Sequence, residues 1–234
     1  QCAAAFGACF FLAGIRLLGR CVPTALALLA AMPFSLAAVC SFFGAVCGYL
    51  AFWGAAGVFE PAAAGFLILA ELCIFSDLLP RDRKWFPPAS ACALYALIGT
   101  LGLLSGGAQG CEIVFFCARL LLLAVCTAVF SAALHEKSRS ARGLLALFLL
   151  AGCSAVRLPG GVPLSAVLAS GAVFLALSGA DALLTAAACG LALDLTCGAE
   201  PSMTAVFSLA ALVCRTPFLS SRIPRAAAFL VCCL

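Results

Sequence analysis

Charged residues are scarce in this chain of 234 residues. Asp, Glu, Lys and Arg make up 9% of it, whereas 66% of the residues are hydrophobic. A soluble domain has roughly a quarter of its residues charged, so the composition excludes that class and indicates an integral membrane protein. The net charge of +4 comes from basic residues that are spread over short loops. This distribution is typical of topology determinants and argues against a nucleic-acid-binding surface.

Histidine is nearly absent, which limits the available chemistry. His135 is the single histidine, and it lies in a basic loop where no Ser-His-Asp arrangement can be built around it. No glycine-rich loop with a lysine is present to hold phosphate, and no Cys-x-x-Cys pair lies in a polar loop to hold zinc. We therefore predict no catalytic residue, no metal ligand and no cofactor within this chain.

Cysteine, by contrast, is abundant, with 16 residues. Most of them lie inside apolar runs, as Cys40, Cys73 and Cys126 do. A disulfide framework is typical of small secreted domains, whereas buried free cysteine behaves as a small hydrophobic residue that lets membrane helices approach closely. We therefore predict free thiols.

Two apolar arms near the C-terminal end form the pattern around which the chain is organised. The arms, 182–195 and 203–219, are each about long enough to cross a bilayer core as a helix. The break between them, at 197–201, contains Gly, Glu and Pro, which is typical of a turn. The second arm leads to three basic residues, Arg215, Arg222 and Arg225. This pattern predicts a membrane hairpin with its basic end on one side.

The longest charge-free stretch, 22–57, is too long for one crossing. Its 36 residues would form a helix of about 54 Å, against a bilayer core of ~30 Å. A turn at Met32-Pro33 would divide it, because proline removes a backbone donor and disfavours helix in the residue before it. The alternative is one tilted helix with a proline kink, so the sequence leaves open whether 22–57 crosses once or twice.

The same criteria applied to the whole chain predict an all-α fold, a polytopic transmembrane helix bundle of about 10–11 membrane helices. The loop after the helix at 34–53 is placed at Glu60-Pro61. The predicted helices cover 3–18, 23–32, 34–53, 62–79, 89–104, 111–134, 143–156, 163–178, 182–195, 203–219 and an apolar run from 226 on. We expect residues 1–234 to be one transmembrane domain that is truncated at both ends.

Basic residues in the predicted loops set the orientation. The loops at 80–88, 135–142 and 220–225 are separated by even numbers of crossings, so all three can lie in the cytoplasm, where Lys and Arg accumulate. The topology-determining residues are Arg81, Arg83, Lys84, Lys137, Arg139, Arg142, Arg222 and Arg225. The predicted outer loops, at Glu60, 105–110, 158–162 and 198–202, contain no Lys or Arg.

Three charged residues within predicted membrane helices are candidates for a function: Glu71, Arg119 and Asp194. Such charges are unfavourable in lipid and tend to face the bundle interior, so they are functional candidates. Glu71 and Arg119 allow two interpretations, a pair in a transport or signalling path or a structural salt bridge that fixes helix register, with a snorkelling arginine as its variant. Asp194 lies near the end of its helix and is interpreted as a solvated interfacial carboxylate rather than a proton relay.

The remaining candidates concern packing and anchoring. Gly44 and Gly48 form a Gly-x-x-x-Gly pair on one helix face and predict close packing with another helix. Arg16, Arg20 and Arg157 are interpreted as anchors at the membrane interface.

Two segments resemble a known family. Residues 11–20 read Phe-Leu-Ala-Gly-Ile-Arg-Leu-Leu-Gly-Arg and are similar to the Leu-Leu-Gly-Arg-Ala segment that opens the membrane region of the stage II sporulation protein E family. Residues 189–195 read Cys-Gly-Leu-Ala-Leu-Asp-Leu and resemble that family's Gly-Leu-Ile-Leu-Gly-Leu segment. The predicted order of helices between them also agrees with the family.

The resemblance implies a multi-pass anchor in the bacterial cell membrane, at the polar division septum. In this family the intact protein carries a cytoplasmic PP2C-type serine phosphatase domain that needs Mn²⁺ or Mg²⁺. It dephosphorylates an anti-anti-sigma factor, which activates sigma factor F, and it associates with the division protein FtsZ. The phosphatase domain would lie beyond Leu234, so the resemblance places none of its metal ligands in this chain. The lipid bilayer is the expected partner of the chain itself, and the sequence leaves a homo-oligomer open.

Two further classes remain open. The segment at 190–195 is also similar to the rod-shape-determining protein of the D type, a scaffold for wall synthesis. A small secondary transporter is the third class, and it predicts inverted repeats with helices broken near the bilayer midplane.

Overall fold

The structure is a computed structural model that describes residues 1–17, 20–75, 84–106, 110–136, 138–176, 181–197 and 202–214. It is 85% helical, which confirms the all-α prediction. The elements in chain order are α1 (Cys2–Leu12), β1 (Arg16–Leu17), β2 (Arg20–Cys21), α2 (Thr24–Ala31), α3 (Leu36–Phe75), α4 (Phe86–Gly106), α5 (Gly110–Leu134), α6 (Arg139–Gly152), α7 (Leu164–Ala176), α8 (Ala182–Cys197) and α9 (Met203–Cys214). The chain divides into two compact units, Gln1–Leu149 and Leu150–Leu234.

Three helices of the described residues are long and apolar enough to cross a membrane: Leu36–Phe75, Phe86–Leu104 and Gly110–Leu134. Shorter apolar helices accompany them at Cys2–Leu12, Leu164–Ala176, Ala182–Thr196 and Met203–Cys214. The chain is therefore a helix bundle whose three longest helices are compatible with a membrane protein.

The first helix ends earlier than predicted. The sequence predicts a helix over 3–18, but α1 ends at Leu12, and β1 pairs antiparallel with β2 in a short hairpin. A helix continued to residue 18 would place Arg16 among apolar groups. In the hairpin its guanidinium carbon instead lies 5.4 Å from the centre of the Trp53 ring, where a cation–π interaction stabilises the charge. The predicted helix is therefore wrong from residue 13 on.

The break at Met32-Pro33 is confirmed. α2 ends at Ala31, and Met32 has an extended backbone with φ −84° and ψ 147°. Ser35 then precedes α3, and its hydroxyl oxygen accepts a hydrogen bond from the N–H of Ala38 at 3.4 Å, a typical helix cap. The chain therefore starts a separate helix after the proline instead of continuing as one kinked helix. All eight residues of α2 are buried.

α3 contains a sharp kink at Gly54, which has φ +70° and ψ −174°. A positive φ is open to glycine and strained for most other residues. The two arms, 36–53 and 55–75, pack against each other, and a methyl group added at Gly65 would lie 3.2 Å from the ring of Phe42. The chain therefore reverses at Gly54.

The predicted loop at Glu60-Pro61 is wrong. Both residues lie in the second arm of α3, and the helix continues through Pro61. Pro61 has no N–H to donate to the carbonyl four residues before it, so the helix continues there without one of its hydrogen bonds. The chain reverses at Gly54, six residues before the predicted loop. As a consequence, Glu60 lies on a helix face.

Lys84 and Glu136 join the ends of α4 and α5. The Nζ of Lys84 lies 2.6 Å from a carboxylate oxygen of Glu136, so one residue from each of two predicted basic loops lies at the same end of the first unit. His135 lies at the same end, and its Nε2 is 3.0 Å from the carbonyl oxygen of Ala31. The turn after α2 is therefore at this end as well.

Four residues of the second predicted basic loop, 139–142, lie on a helix. α6 begins at Arg139, four residues before its predicted start, because Ser138 acts as its cap and accepts a hydrogen bond from the N–H of Ala141 at 3.5 Å. Arg142 follows in the first turns and donates its Nε–H to the carbonyl oxygen of Ala133 at 3.5 Å. The other topology-determining residues, Arg81, Arg83, Lys137, Arg222 and Arg225, lie outside the described residues.

The second unit begins with a tight turn and continues with three helices. A 3-10 turn at Cys153–Ala155 precedes a reversal in which the N–H of Leu158 donates to the carbonyl oxygen of Val162 at 2.8 Å. Gly160 and Gly161 have φ values of +96° and +81°, so glycine is needed at both positions. α7, α8 and α9 then confirm the helices predicted from 163, 182 and 203, as far as they are described, and the run from 226 on lies outside the described residues.

Candidate functional site

The reversal between α1 and α2 leaves backbone carbonyls without helical partners. In an apolar interior each such group is strongly unfavourable unless it finds another donor. Side chains of α2 and α3 supply three donors. The hydroxyl of Thr24 donates to the carbonyl of Leu12 (2.7 Å), the hydroxyl of Tyr49 to that of Val22 (3.1 Å), and the indole N–H of Trp53 to that of Ala13 (2.9 Å). The hairpin that carries Arg16 and Arg20 is therefore fixed by specific hydrogen bonds.

Arg119 of α5 is held by acceptors from two other helices. Its Nη1 lies 3.5 and 3.4 Å from the two carboxylate oxygens of Glu60, on the second arm of α3. The same nitrogen lies 3.5 Å from the hydroxyl oxygen of Tyr95, a buried residue of α4. The side chains of Arg119 and Glu60 are 23% and 36% exposed, so solvent screens this pair only in part.

The predicted pairing of Arg119 with Glu71 is wrong. Glu71 lies eleven residues beyond Glu60 on the same arm, which corresponds to about 16 Å along a helix axis. A guanidinium that contacts Glu60 at 3.4 Å cannot reach that far. The carboxylate oxygens of Glu71 are themselves buried, so both predicted intramembrane charges of the first unit lie inside the bundle but at different levels.

A cavity of about 260 Å³ opens beside Arg119 and Glu60. Two arginines and two glutamates line it together with aromatic rings and glycines, so the formal charges of the lining cancel. The lining residues are Arg20, Glu60, Gly99, Gly102, Leu103, Glu112, Phe115, Phe116 and Arg119. The lining residues of α4 lie in its C-terminal half and those of α5 in its N-terminal half, away from the Lys84–Glu136 end.

Arg20 reaches the cavity from β2. Its guanidinium carbon lies 4.4 Å from the centre of the Phe115 ring, which is a cation–π distance. No carboxylate of the described chain forms a salt bridge with it. The sequence identifies Arg20 as an interface anchor, whereas the structure places it at a cavity that other charged residues also line.

Sequence reasoning missed three members of this site: Glu60, Glu112 and Tyr95. Glu60 was not considered as a partner for Arg119, because the sequence analysis assigned it to a loop. A signal was available for Glu112, because Glu112, Phe116 and Arg119 recur at helical spacing and therefore share one face of α5. Tyr95 gave no signal, since a single tyrosine in an apolar helix is an ordinary core residue.

Asp194 has a structural role in the second unit. Its carboxylate accepts hydrogen bonds from the backbone N–H groups of Met203 (2.6 Å) and Thr204 (3.0 Å), and from the hydroxyls of Ser202 (2.8 Å) and Thr204 (2.6 Å). An acceptor at the first turn of a helix satisfies its unpaired N–H groups. Asp194 of α8 therefore caps α9, which corrects its interpretation as a carboxylate that is only solvated.

Close helix contacts in both units depend on glycine. A Cβ atom added at Gly48 would lie 2.5 Å from the carbonyl oxygen of Phe10, and one at Gly44 would overlap the carbonyl of Phe6. This is the close packing that the Gly-x-x-x-Gly spacing predicts. In the second unit a Cβ atom at Gly190 would overlap the Cα of Thr204, so α8 and α9 approach each other at Gly190.

The other candidates have simple surroundings. The backbone of Arg157 pairs with that of Pro163 in a single antiparallel β-type contact across an exposed turn. The cysteines whose side chains the structure describes are free thiols. Within the described ranges, no group of three or more His, Cys, Asp or Glu side chains could hold a metal ion. Comparison with protein-family models, curated proteins and solved structures gives no match to this chain.

Proposed function

We propose that the chain is the membrane anchor and septum-localising region of a sporulation-specific PP2C-type serine phosphatase. The observation that carries the proposal is the resemblance of residues 11–20 and 189–195 to the membrane region of that family. The helix order between these segments is compatible with it.

Outward-facing apolar side chains support the anchoring part of this proposal. Phe59 is 81% exposed, Leu104 82% and Leu175 78%, and each belongs to an apolar helix. Soluble proteins rarely expose apolar patches of this kind, whereas lipid would cover them. In the proposed intact protein the phosphatase domain would bind Mn²⁺ or Mg²⁺ and dephosphorylate the anti-anti-sigma factor that controls sigma factor F, while this chain would hold it near FtsZ at the polar septum.

Fluorescence microscopy of a sporulating endospore-forming bacterium tests the proposal. The chain is fused to a fluorescent protein beyond Leu234, and we expect the signal to concentrate at the polar septum and to coincide with FtsZ. Gly48→Leu, which removes the close contact with α1, should reduce septal signal, whereas Gly171→Leu, which has open space around it, should not. A correctly inserted fusion that is uniform around the cell would contradict the proposal.

A small secondary transporter is the second candidate, and the interrupted region of the first unit favours it. α2 has eight residues, about 12 Å of helix, and is buried throughout. Short buried helices beside an irregular segment and a polar cavity are typical of transporter binding sites. Uptake of solutes into proteoliposomes that contain the chain is the test, and uptake no faster than in protein-free liposomes would rule the candidate out.

A further inference from the structure

The cavity of the first unit contains both signs of charge within an apolar bundle. Charged side chains in such surroundings are unfavourable and characteristically face a cavity or a partner. Glu60 and Arg119 form a salt bridge with each other. Arg20 and Glu112 also line the cavity, and no salt bridge joins either of them to another described residue. Arg20 and Glu112 therefore present one cation and one carboxylate to the cavity.

We propose that this cavity binds a small zwitterion, a molecule that carries one carboxylate and one ammonium group, as a free amino acid does. In this arrangement Arg20 binds the carboxylate of the ligand, because its planar guanidinium matches a carboxylate with two hydrogen bonds. Glu112 accepts the ammonium group. The proposal goes beyond the anchoring function and does not rest on it.

The balance of charge selects this class over simple ions. The four charged lining residues sum to zero, so a ligand without net charge leaves no uncompensated charge in the bundle. A phosphate or another anion would face Glu60 and Glu112, and a cation would face Arg20 and Arg119. A zwitterion can place each of its groups against the opposite sign.

The size and shape of the cavity fit a molecule of this kind. About 260 Å³ corresponds to on the order of eight to nine waters at ~30 Å³ each, which suits an amino acid with a similar number of non-hydrogen atoms. The rings of Phe115 and Phe116 supply apolar lining for its side chain. A Cβ atom added at Gly102 would meet nothing within 4 Å, so this glycine leaves open space at the cavity wall.

Binding of radiolabelled proteinogenic amino acids to the full chain in lipid nanodiscs tests the proposal, each at up to about 1 mM, the weak end of specific affinity. We expect saturable binding of at least one of them. Its N-acetyl derivative, which lacks the ammonium group, and its amide, which lacks the carboxylate, should fail to compete. No saturable binding by any amino acid, or equal competition by either derivative, would overturn the proposal.

Substitutions of the lining residues test whether the ligand binds in this cavity. Arg20→Gln and Glu112→Gln should each weaken binding at least about tenfold, the loss expected for one charge-assisted contact. The matched controls are Arg16→Gln, on the same hairpin but over Trp53, and Asp181→Asn in the second unit, and both should bind as the parent chain does. Equal binding by Arg20→Gln or Glu112→Gln and the parent would place the ligand elsewhere and overturn the assignment.

A second variant keeps the test decisive if a charge change disturbs folding. Gly102→Leu fills open space at the cavity wall and leaves all four charges in place, so it should abolish binding while the helical circular dichroism and the elution volume stay those of the parent. Gly171→Leu is its control, because a Cβ atom there also meets nothing within 4 Å. Unchanged binding by a folded Gly102→Leu protein would contradict the proposal.

Discussion

The salt bridge of Arg119 yields the sharpest prediction about stability. The structure pairs Arg119 with Glu60 at 3.4 Å, whereas the sequence predicts Glu71 as its partner. A double-mutant cycle separates the two, because it isolates the interaction energy of one pair. We would compare Glu60→Gln, Arg119→Gln and the double variant with the corresponding cycle for Glu71→Gln.

The expected magnitude follows from the exposure of the pair. Exposed ion pairs contribute about 0.2–1 kcal/mol, and removal of one partner from a fully buried pair is unfavourable by about 3–5 kcal/mol. Side-chain exposures of 23% and 36% lie between these cases. We therefore expect a coupling energy of about 1–2 kcal/mol between Glu60 and Arg119, and additive effects, within about 0.5 kcal/mol, for Glu71 and Arg119.

The assay is equilibrium unfolding of the purified chain in mixed micelles with increasing SDS, followed by tryptophan fluorescence. Helical circular dichroism of each variant before unfolding serves as the control for a folded starting state. A coupling energy for the Glu71 and Arg119 cycle that equals or exceeds that of the Glu60 cycle would refute the reasoning from the structure.

Three other predictions concern the contacts that hold each unit, and the same unfolding assay measures them. Gly48→Leu should lower the free energy of unfolding by about 1–3 kcal/mol or more, because the leucine side chain would overlap the backbone of α1. Gly171→Leu is the control and should change this free energy little. Similar values for the two variants would contradict the close packing. Asp194→Ala should lower the free energy of unfolding by about 1–2 kcal/mol, since the cap of α9 is lost, and an unchanged value would argue against capping. Tyr49→Phe should lower it by about 1–3 kcal/mol, because a buried carbonyl loses its donor, and an unchanged value would show that this carbonyl has another partner.

The order of the helices could be predicted because apolar runs and their breaks are local properties of the sequence. Pro33 ends one helix whatever surrounds it, since the missing N–H and the steric effect on Met32 belong to the chain itself. The helices from 111 and 182 begin within one residue of their predicted starts. Hydropathy was sufficient in these places, because no distant residue is needed to form or end the helix.

The hairpin after α1 could not be predicted from local pattern. It replaces helical hydrogen bonds by bonds from Tyr49 and Trp53, residues of a different helix that lie more than 25 positions away in the sequence. Only tertiary structure brings these donors to the free carbonyls. The end of α1 at Leu12 is therefore a consequence of packing. For the same reason Arg16 and Arg20 lie on the hairpin and not on a helix.

The sequence identifies only part of the residues that line the cavity, for a related reason. Arg119 stands out as an isolated charge in an apolar helix, so the sequence identifies it. Its partner Glu60 is followed by proline, a pair that usually marks a turn, and the assignment to a loop removed it from consideration. The chain turns instead at Gly54, which has a positive φ. The sequence contains 21 glycines, and nothing in the sequence distinguishes the one that adopts this conformation.

The complete burial of α2 has a consequence for how the chain is made. Its eight residues pack against α3 and α5, so none of its surface would be exposed to lipid in the finished bundle. A segment of about 12 Å is also too short to enter a bilayer by partitioning alone. Residues 24–31 leave the ribosome roughly a hundred residues before α5 is complete, at about 5–20 residues per second. The surface that buries α2 is therefore complete only about 5–20 s after the segment itself has been made, and we expect α2 to reach its fully buried position after that.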